Sequence, residues 1–309
     1  MNYINDVREL IGKTPLLKIN NFELKPGVNI FAKLENFNPG GSVKDRIGIK
    51  MIEEAEKNGI MTKGTTIIEA TAGNTGLGIA LAAINKGYKV IFVVPEKFSV
   101  EKQILMKALG AEIINTPREL GVEGAIEKQN ELCKEIKNSI SLKQFENPAN
   151  PLIHYEATGP EIYEALEGNL DYFVAGAGSG GTFTGIAKYL REQKSSIKTI
   201  LADPEGSTIG GGREACYNIE GIGNNFIPKT LDVALVDAVI KITDEEAYST
   251  VAELARKEGL IVGSSSGAAF AAALKLAEFI DKGTIVTVFP DRGDRYFSKN
   301  LYTYNEKIS

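Results

Sequence analysis

Tyr172-Phe173-Val174-Ala175 is followed by Gly176-Ala177-Gly178-Ser179-Gly180-Gly181-Thr182-Phe183-Thr184-Gly185 and then by a helical pattern that runs to Glu192. The first four residues read as a strand, and the turn after them holds five glycines and three hydroxyls. A tight turn needs only one or two glycines. Five at a strand-to-helix junction let the backbone close on an anion, with the N–H groups of the first helical turn and the hydroxyls as donors. The stretch therefore predicts a parallel α/β sheet with a phosphate seat at the carboxyl end of a strand. Gly176, Gly178 and Gly181 also fit the dinucleotide fingerprint, with Asp203 where its acidic residue would fall, so an NAD-dependent oxidoreductase stays open as an alternative. The P-loop pattern is excluded, because no Lys-Ser or Lys-Thr follows the glycines.

The same rhythm extends in both directions. Upstream, 65–69 reads as a strand, 76–86 as a helix and 90–94 as a strand; Ser99 caps a helix to Leu109, and 111–114 is a strand before a charged helix at about 121–138. Downstream, 199–202 and 284–289 read as strands, Thr243 with Glu246 opens a helix to about 258 as a capping box, and a further helix spans about 266–281. A polar, glycine-rich segment at 206–228 interrupts the alternation. Gln144-Phe145-Glu146-Asn147-Pro148-Ala149-Asn150-Pro151 can continue neither helix nor strand and marks a domain crossing. The expected fold is α/β: two open, twisted, mostly parallel sheets flanked by helices.

The 309 residues are 43% hydrophobic and 24% charged with a net charge of −5, proportions that exclude disordered, collagen-like and disulfide-scaffold chains. Without a basic surplus, nothing drives sequence-independent phosphate-backbone binding, which argues against a nucleic-acid partner. The N-terminus carries charges where a secretion signal has an apolar run. No stretch of about 18 apolar residues suits a membrane span either, so the expected location is the cytoplasm. Cys133 and Cys216 lack metal-ligand spacing and read as reduced packing residues. With His154 as the sole histidine, neither a Ser-His-Asp triad nor a histidine-based metal site has its residues, and His154 reads as a packing or structural hydrogen-bonding group.

Two further loops use glycine in the same way. Ala70-Thr71-Ala72-Gly73-Asn74-Thr75-Gly76-Leu77-Gly78 links the 65–69 strand to a helix, and its hydroxyl, amide and backbone donors suit a carboxylate. Asn38-Pro39-Gly40-Gly41-Ser42-Val43-Lys44-Asp45-Arg46 puts Lys44 at the start of a helix. There the positive end of the macrodipole disfavours an ammonium and suits an amine acting as nucleophile or base. A phosphate seat and a carboxylate seat suggest one phosphorylated and one carboxylated ligand rather than a single dinucleotide.

These loops occur together with Ile11-Gly12-Lys13-Thr14-Pro15-Leu16, Thr158-Gly159-Pro160-Glu161, Glu220-Gly221-Ile222-Gly223, Phe226-Ile227-Pro228, Ser265-Ser266-Gly267-Ala268-Ala269 and Pro290-Asp291-Arg292-Gly293-Asp294-Arg295-Tyr296. Over nearly its whole length the chain resembles the fold-type II, tryptophan synthase β-like pyridoxal-phosphate enzymes, and within them the cysteine synthase and cystathionine β-synthase family. The resemblance implies pyridoxal 5'-phosphate as cofactor and an active site in an interdomain cleft. A smaller, mobile substrate-clamping domain at 43–149 and a larger phosphate-binding domain at 1–42 and 150–309 would flank that cleft. By the same resemblance, Lys44 holds the cofactor as a Schiff base and then takes the substrate α-proton, and Asn74 bonds the phenolic oxygen of the cofactor. Gly178, Ser179, Gly180, Gly181 and Thr182 hold the phosphate, while Ser265 faces the pyridine nitrogen. Thr71, Ala72, Asn74, Thr75 and Gln144 receive the substrate α-carboxylate. A neutral hydroxyl at 265 favours expulsion of a β-substituent over transamination or racemisation. The implied chemistry is β-elimination from a serine- or cysteine-type amino acid to an enzyme-bound aminoacrylate, followed by addition of a nucleophile. A homodimer is implied as well; a leading haem segment or a trailing regulatory tandem domain is not expected in a chain of this length.

Ala72 stands where the family loop usually has serine, and residues 210–217 and Asn224-Asn225 also depart from the commonest cysteine synthase forms, so the nucleophile stays open. Sulfide with O-acetylserine gives cysteine; homocysteine or a second cysteine gives cystathionine or lanthionine; water replacing the sulfide of cysteine gives serine and hydrogen sulfide. Water needs a positioned base. Asp232, just beyond the 220–228 block, is the candidate, with a helix or turn contact as its other reading. A non-catalytic regulatory protein of the same fold is the remaining alternative, and retention of Lys44, Asn74, Gln144 and Ser265 argues against it.

Overall fold

A computed structural model describes residues 3–71, 73–96 and 98–302. In chain order, strands β1 (Leu16–Lys18) and β2 (Val28–Leu34) precede helix α1 (Lys44–Lys57). Then come β3 (Thr66–Ala70), α2 (Asn74–Ala83), β4 (Lys89–Pro95), α3 (Val100–Ala108), β5 (Glu112–Thr116), α4 (Gly121–Glu135) and β6 (Ser139–Ile140). The helices α5 (Ala149–Ile153) and α6 (Gly159–Ala165) lead to β7 (Tyr172–Gly176), α7 (Gly181–Gln193) and β8 (Lys198–Pro204). Last are β9 (Ala238–Ile242), α8 (Asp244–Glu258), α9 (Ser264–Phe279) and β10 (Gly283–Phe289). No helix of the described residues is long and apolar enough to cross a membrane.

The chain divides into two compact units, one holding the residues before Gly12 with Asn38–Ala149, the other Gly12–Phe37 and the residues from Asn150 onward. In the first unit four parallel strands run in the order β5-β4-β3-β6. Helix α2 is buried from Thr75 to Ala83, the signature of a helix enclosed by its neighbours. Helix α1 presents Ile47, Met51, Ile52 and Ala55 inward, and Gly48 lets it approach α2, since a Cβ there would collide with the backbone at Gly78.

The second unit carries a sheet in the order β1-β2-β10-β7-β8-β9, parallel except for the edge pair β1–β2. Successive residues of its central strands feed opposite faces. Val174, Ile200 and Ile285 join one cluster with Phe270 and Leu254. Their neighbours Phe173, Leu201 and Val286 join another with Phe183, Ile186 and Leu190. Helix α7 supplies those last three at i, i+3 and i+7, the spacing of one helix face. The Thr243–Glu246 capping box opens α8 as expected, and Gly259 in the left-handed region closes it.

Two helices begin earlier than their composition suggests. Helix α2 starts at Asn74 rather than Gly76, and α9 at Ser264 rather than near 266. Asn, Ser and Gly are weak helix formers, but burial holds these first turns in place. Strands β2 and β9 each carry a lysine inside an apolar run, Lys33 and Lys241, which hides them from a reading by hydrophobicity. Lys33 is buried because it reaches the Thr14 carbonyl at 2.6 Å and Glu161 at 2.7 Å.

Candidate active site

In the first unit, the turn before α1 is tied down by Asp45 of that helix. Its buried carboxylate accepts from the Gly40 N–H at 2.6 Å, and the Gly41 N–H donates to the Asn38 carbonyl at 2.7 Å. Lys44 is the first residue of α1, half-buried, with its N–H donating to Ser42 Oγ at 3.3 Å.

The turn from β3 into α2 has no capping side chain at Gly73, whose φ of 126° suits only glycine. Thr71 substitutes for the cap: its buried Oγ1 accepts from the N–H groups of Gly73 at 3.0 Å and Gly76 at 3.2 Å. With both lone pairs engaged, what that hydroxyl offers a ligand is its proton. Asn74 and Thr75 form the first turn of α2, and the Thr75 hydroxyl donates to Gln144 Oε1 at 2.6 Å. Gln144 Nε2 leans toward the Ala70 carbonyl at 3.4 Å. The structure thus brings Thr71, Asn74, Thr75 and Gln144 together at one helix N-terminus, a seat of donors for a carboxylate. Ala72 lies outside the described residues.

Beneath this seat is Glu69, a carboxylate in a strand that is buried throughout. Burial pushes its pKa up, against hydrogen bonds from Gln144, Ser141, Lys143 and Leu142 that pull it down.

The second unit holds the turn between β7 and α7. Gly180, at φ 86°, is the N-cap and offers no side-chain acceptor to the first turn of the helix, leaving those N–H groups for a ligand. The turn's carbonyls are held from behind. Asn224 Nδ2 donates to the Gly178 carbonyl at 2.7 Å, and the Thr230 hydroxyl donates to that of Ser179. Asn150 Nδ2 donates to Ser179 Oγ at 2.9 Å. Side chains are excluded as well: a Cβ on Gly178 would strike the Gly221 carbonyl, and one on Gly181 would come within 2.8 Å of Asn150 Nδ2. Gly178, Ser179, Gly180, Gly181 and Thr182 therefore form a bare cradle of backbone donors, and it fits a phosphate. Thr182 Oγ1 lies 3.1 Å from Nε2 of the buried His154, whose Nδ1 lies 2.9 Å from Thr158 Oγ1. His154 is the structural hydrogen-bonding residue its sequence context suggests.

Ser265 is the second residue of α9 and buried, with Gly221 beside it; the preceding Ser264 accepts from the Glu220 N–H at 3.0 Å. No group of three His, Cys, Asp or Glu side chains among the described residues could hold a metal. Cys133 and Cys216 are free thiols, with burial raising the pKa of Cys133.

Two other sequence candidates have different partners. The exposed Asp232 caps a 3-10 turn, Val233–Leu235, by accepting from the Ala234 N–H at 3.0 Å, while its own N–H donates to Thr184 Oγ1 at 2.9 Å. This is the turn contact. Asp203 is buried, its Oδ2 taken by Lys241 at 2.6 Å and by the Gly210 N–H at 3.0 Å and its Oδ1 enclosed away from solvent, so it is not the open acid a dinucleotide ribose requires. Sequence reasoning missed Asn150, Asn224 and Thr230 as supports of the turn. Asn224 was visible only as a departure from the usual family pattern, and Asn150 only as a helix breaker.

A family model described as pyridoxal-phosphate dependent enzyme matches residues 7–291. The chain is 53% identical over 303 residues to the O-acetylserine dependent cystathionine beta-synthase of Bacillus subtilis, covering 98% of this chain and 99% of that one. It is similar to the crystal structure of O-acetylserine dependent cystathionine beta-synthase from Helicobacter pylori, at 50% identity and a TM-score of 0.93 over 98% of this chain and 100% of that one. A hydrogen sulfide-producing enzyme from Fusobacterium nucleatum matches at 44% identity and a TM-score of 0.92, over 95% and 100% of the two chains. These matches and the committed Asp203 remove the nicotinamide alternative. The chain belongs to the pyridoxal-phosphate dependent enzymes, and within them to those of sulfur amino-acid metabolism that replace or eliminate a β-substituent.

Proposed function

We propose that this enzyme expels acetate from O-acetylserine and adds a thiol at the β-carbon, with homocysteine as the acceptor that yields cystathionine. The 53% identity, over nearly the full length of both chains, to an O-acetylserine dependent cystathionine beta-synthase carries this reading. Pyridoxal phosphate, when bound, supplies the electron sink through which an amino acid loses its α-proton and its β-substituent. The chain's own residues divide the rest of the work. Lys44 anchors the cofactor through its amine and takes the α-proton on Nζ. Backbone N–H groups of Gly178, Ser179, Gly180 and Gly181, with the Thr182 hydroxyl, bind the phosphate, and Asn74 donates to the phenolic oxygen. Ser265 presents a neutral hydroxyl to the ring nitrogen, which disfavours a delocalised carbanion and commits the reaction to the β-carbon. Thr71, Thr75 and Gln144 orient the α-carboxylate and, once it is seated, exclude water from it.

Incubation of the holoenzyme with O-acetylserine and homocysteine, with O-acetylserine and sulfide, and with cysteine alone, each resolved by mass, tests the reading. Cystathionine forming fastest from the first pair supports it. Serine and sulfide from cysteine, with no product from O-acetylserine, would overturn it. The family resemblance further supports a cytoplasmic homodimer, for which sedimentation equilibrium at twice the chain mass is the check.

A further inference from the structure

Glu69 is an anomaly of composition. It occupies the interior of Thr66-Ile67-Ile68-Glu69-Ala70, a parallel strand buried at every position, where strands of this type read as continuous apolar runs. A carboxylate there is costly unless its oxygens are satisfied. Four donors reach it: Oε2 accepts from Ser141 Oγ at 2.8 Å, the Leu142 N–H at 3.0 Å and the Lys143 N–H at 3.1 Å, and Oε1 accepts from the Gln144 N–H at 3.0 Å. Three consecutive peptide N–H groups around one anion make the nest by which proteins bind foreign anions. Here the anion is the chain's own. The bend is held at Lys143, a non-glycine residue in the left-handed region with φ 54°. Its last peptide belongs to Gln144, whose carboxamide turns back to the Ala70 carbonyl and the Thr75 hydroxyl. One carboxylate thus joins the strand that delivers the 71–75 loop to the turn that delivers Gln144.

We propose that Glu69 is a positioning residue for amino-acid binding: by gathering the N–H groups of Leu142, Lys143 and Gln144, it holds the Gln144 carboxamide in register with Thr75 at the α-carboxylate seat. The proposal rests on the reading of Gln144 as a carboxylate ligand. Glu69 touches neither substrate nor cofactor on this account, so its loss weakens amino-acid binding and leaves cofactor attachment in place.

The test titrates L-serine into the holoenzyme and follows the visible band of the cofactor, for wild type, Glu69→Gln, Gln144→Ala and the double variant. Glu69→Gln keeps the size of the side chain and the resting spectrum while raising the Kd for serine about tenfold, the scale of losing a support behind a binding group. Its KM for O-acetylserine rises with it, and kcat changes less. Gln144→Ala raises the Kd comparably, and the double variant is no weaker than Gln144→Ala alone, because both changes remove one interaction. A Glu69→Gln Kd within about twofold of wild type, with Gln144→Ala impaired, overturns the inference and leaves the carboxylate reading standing. An unimpaired Gln144→Ala overturns both. Should Glu69→Gln not accumulate as folded holoenzyme, Ser141→Ala, which removes one donor and keeps the charge, carries the test. A Kd raised about two- to threefold supports the proposal, and an unchanged one overturns it.

Discussion

Gly48 of α1 and Gly78 of α2 lie back to back: a Cβ on Gly48 would come within 2.6 Å of the Ile79 amide nitrogen, and one on Gly78 within 3.1 Å of that of Asp45. Neither glycine has a positive φ. Both are required by proximity, and that proximity fixes the first turn of α1, which carries Lys44, to the first half of α2, which carries Asn74 and Thr75.

Gly78→Ala is therefore expected to destabilise the protein by about 1–3 kcal/mol, as overpacking of a close contact does. It should also lower the cofactor absorbance per chain, since the helix bearing Lys44 has to move. Urea melts with parallel absorbance spectra check both effects.

Lys44→Ala removes a half-buried side chain at a helix start and should leave the melting temperature near that of wild type. Turnover should fall by at least ~1,000-fold, and borohydride should no longer fix the cofactor to the chain. Mass spectrometry of the reduced protein reads the attachment directly.

Asp232→Asn should leave product formation from every substrate pair within about twofold of wild type, because the carboxylate is a cap facing solvent. Asp232→Ala should cost about 0.5–1 kcal/mol of stability with the same activity. Loss of serine formation from cysteine in Asp232→Asn would instead assign that carboxylate the role of base for water.

Strong acid should loosen the N-terminal turn. The hydrogen bond from the Arg8 side chain, more than any other influence, lowers the Asp6 pKa from 3.8 to about 2. Arg8 in turn reaches the Ala82 and Ile84 carbonyls at the end of α2, both at 3.3 Å. A depressed folded-state pKa contributes stability that is fully present above 3.8 and lost as pH falls toward about 2. Wild type and Asp6→Asn should accordingly differ in melting temperature at neutral pH and converge at the acid end of that window. The convergence will overlap the titration of Glu56, where burial pushes the carboxyl up but hydrogen bonds from Lys86 and Tyr88, together with the charges of Lys86 and Arg8, hold it low on balance.

Much of this site was legible in sequence because helix starts and glycine turns are local. Lys44 and Gly181 each open a helix in the structure, as the loops before them announced, while Asn74 opens α2 two residues ahead of the expected Gly76, and the glycine-rich β7–α7 turn leads into its helix with no side-chain cap. The spacing of Gly176, Gly178 and Gly181 could not decide between a nucleotide and a simpler phosphate. That decision needed Lys241, distant in sequence, which ties up Asp203.

The α/β alternation and the glycine-rich loops that lead into helices could be read along the chain, since periodicity, capping and backbone freedom act over a few residues. What stands behind those loops became visible only in the folded chain. Asn224 reaches Gly178 across 46 positions, and Glu69 reaches Leu142, Lys143 and Gln144 across 73, 74 and 75. A buried polar group must find its partners wherever the fold brings donors within about 3 Å, and no local pattern records where that is.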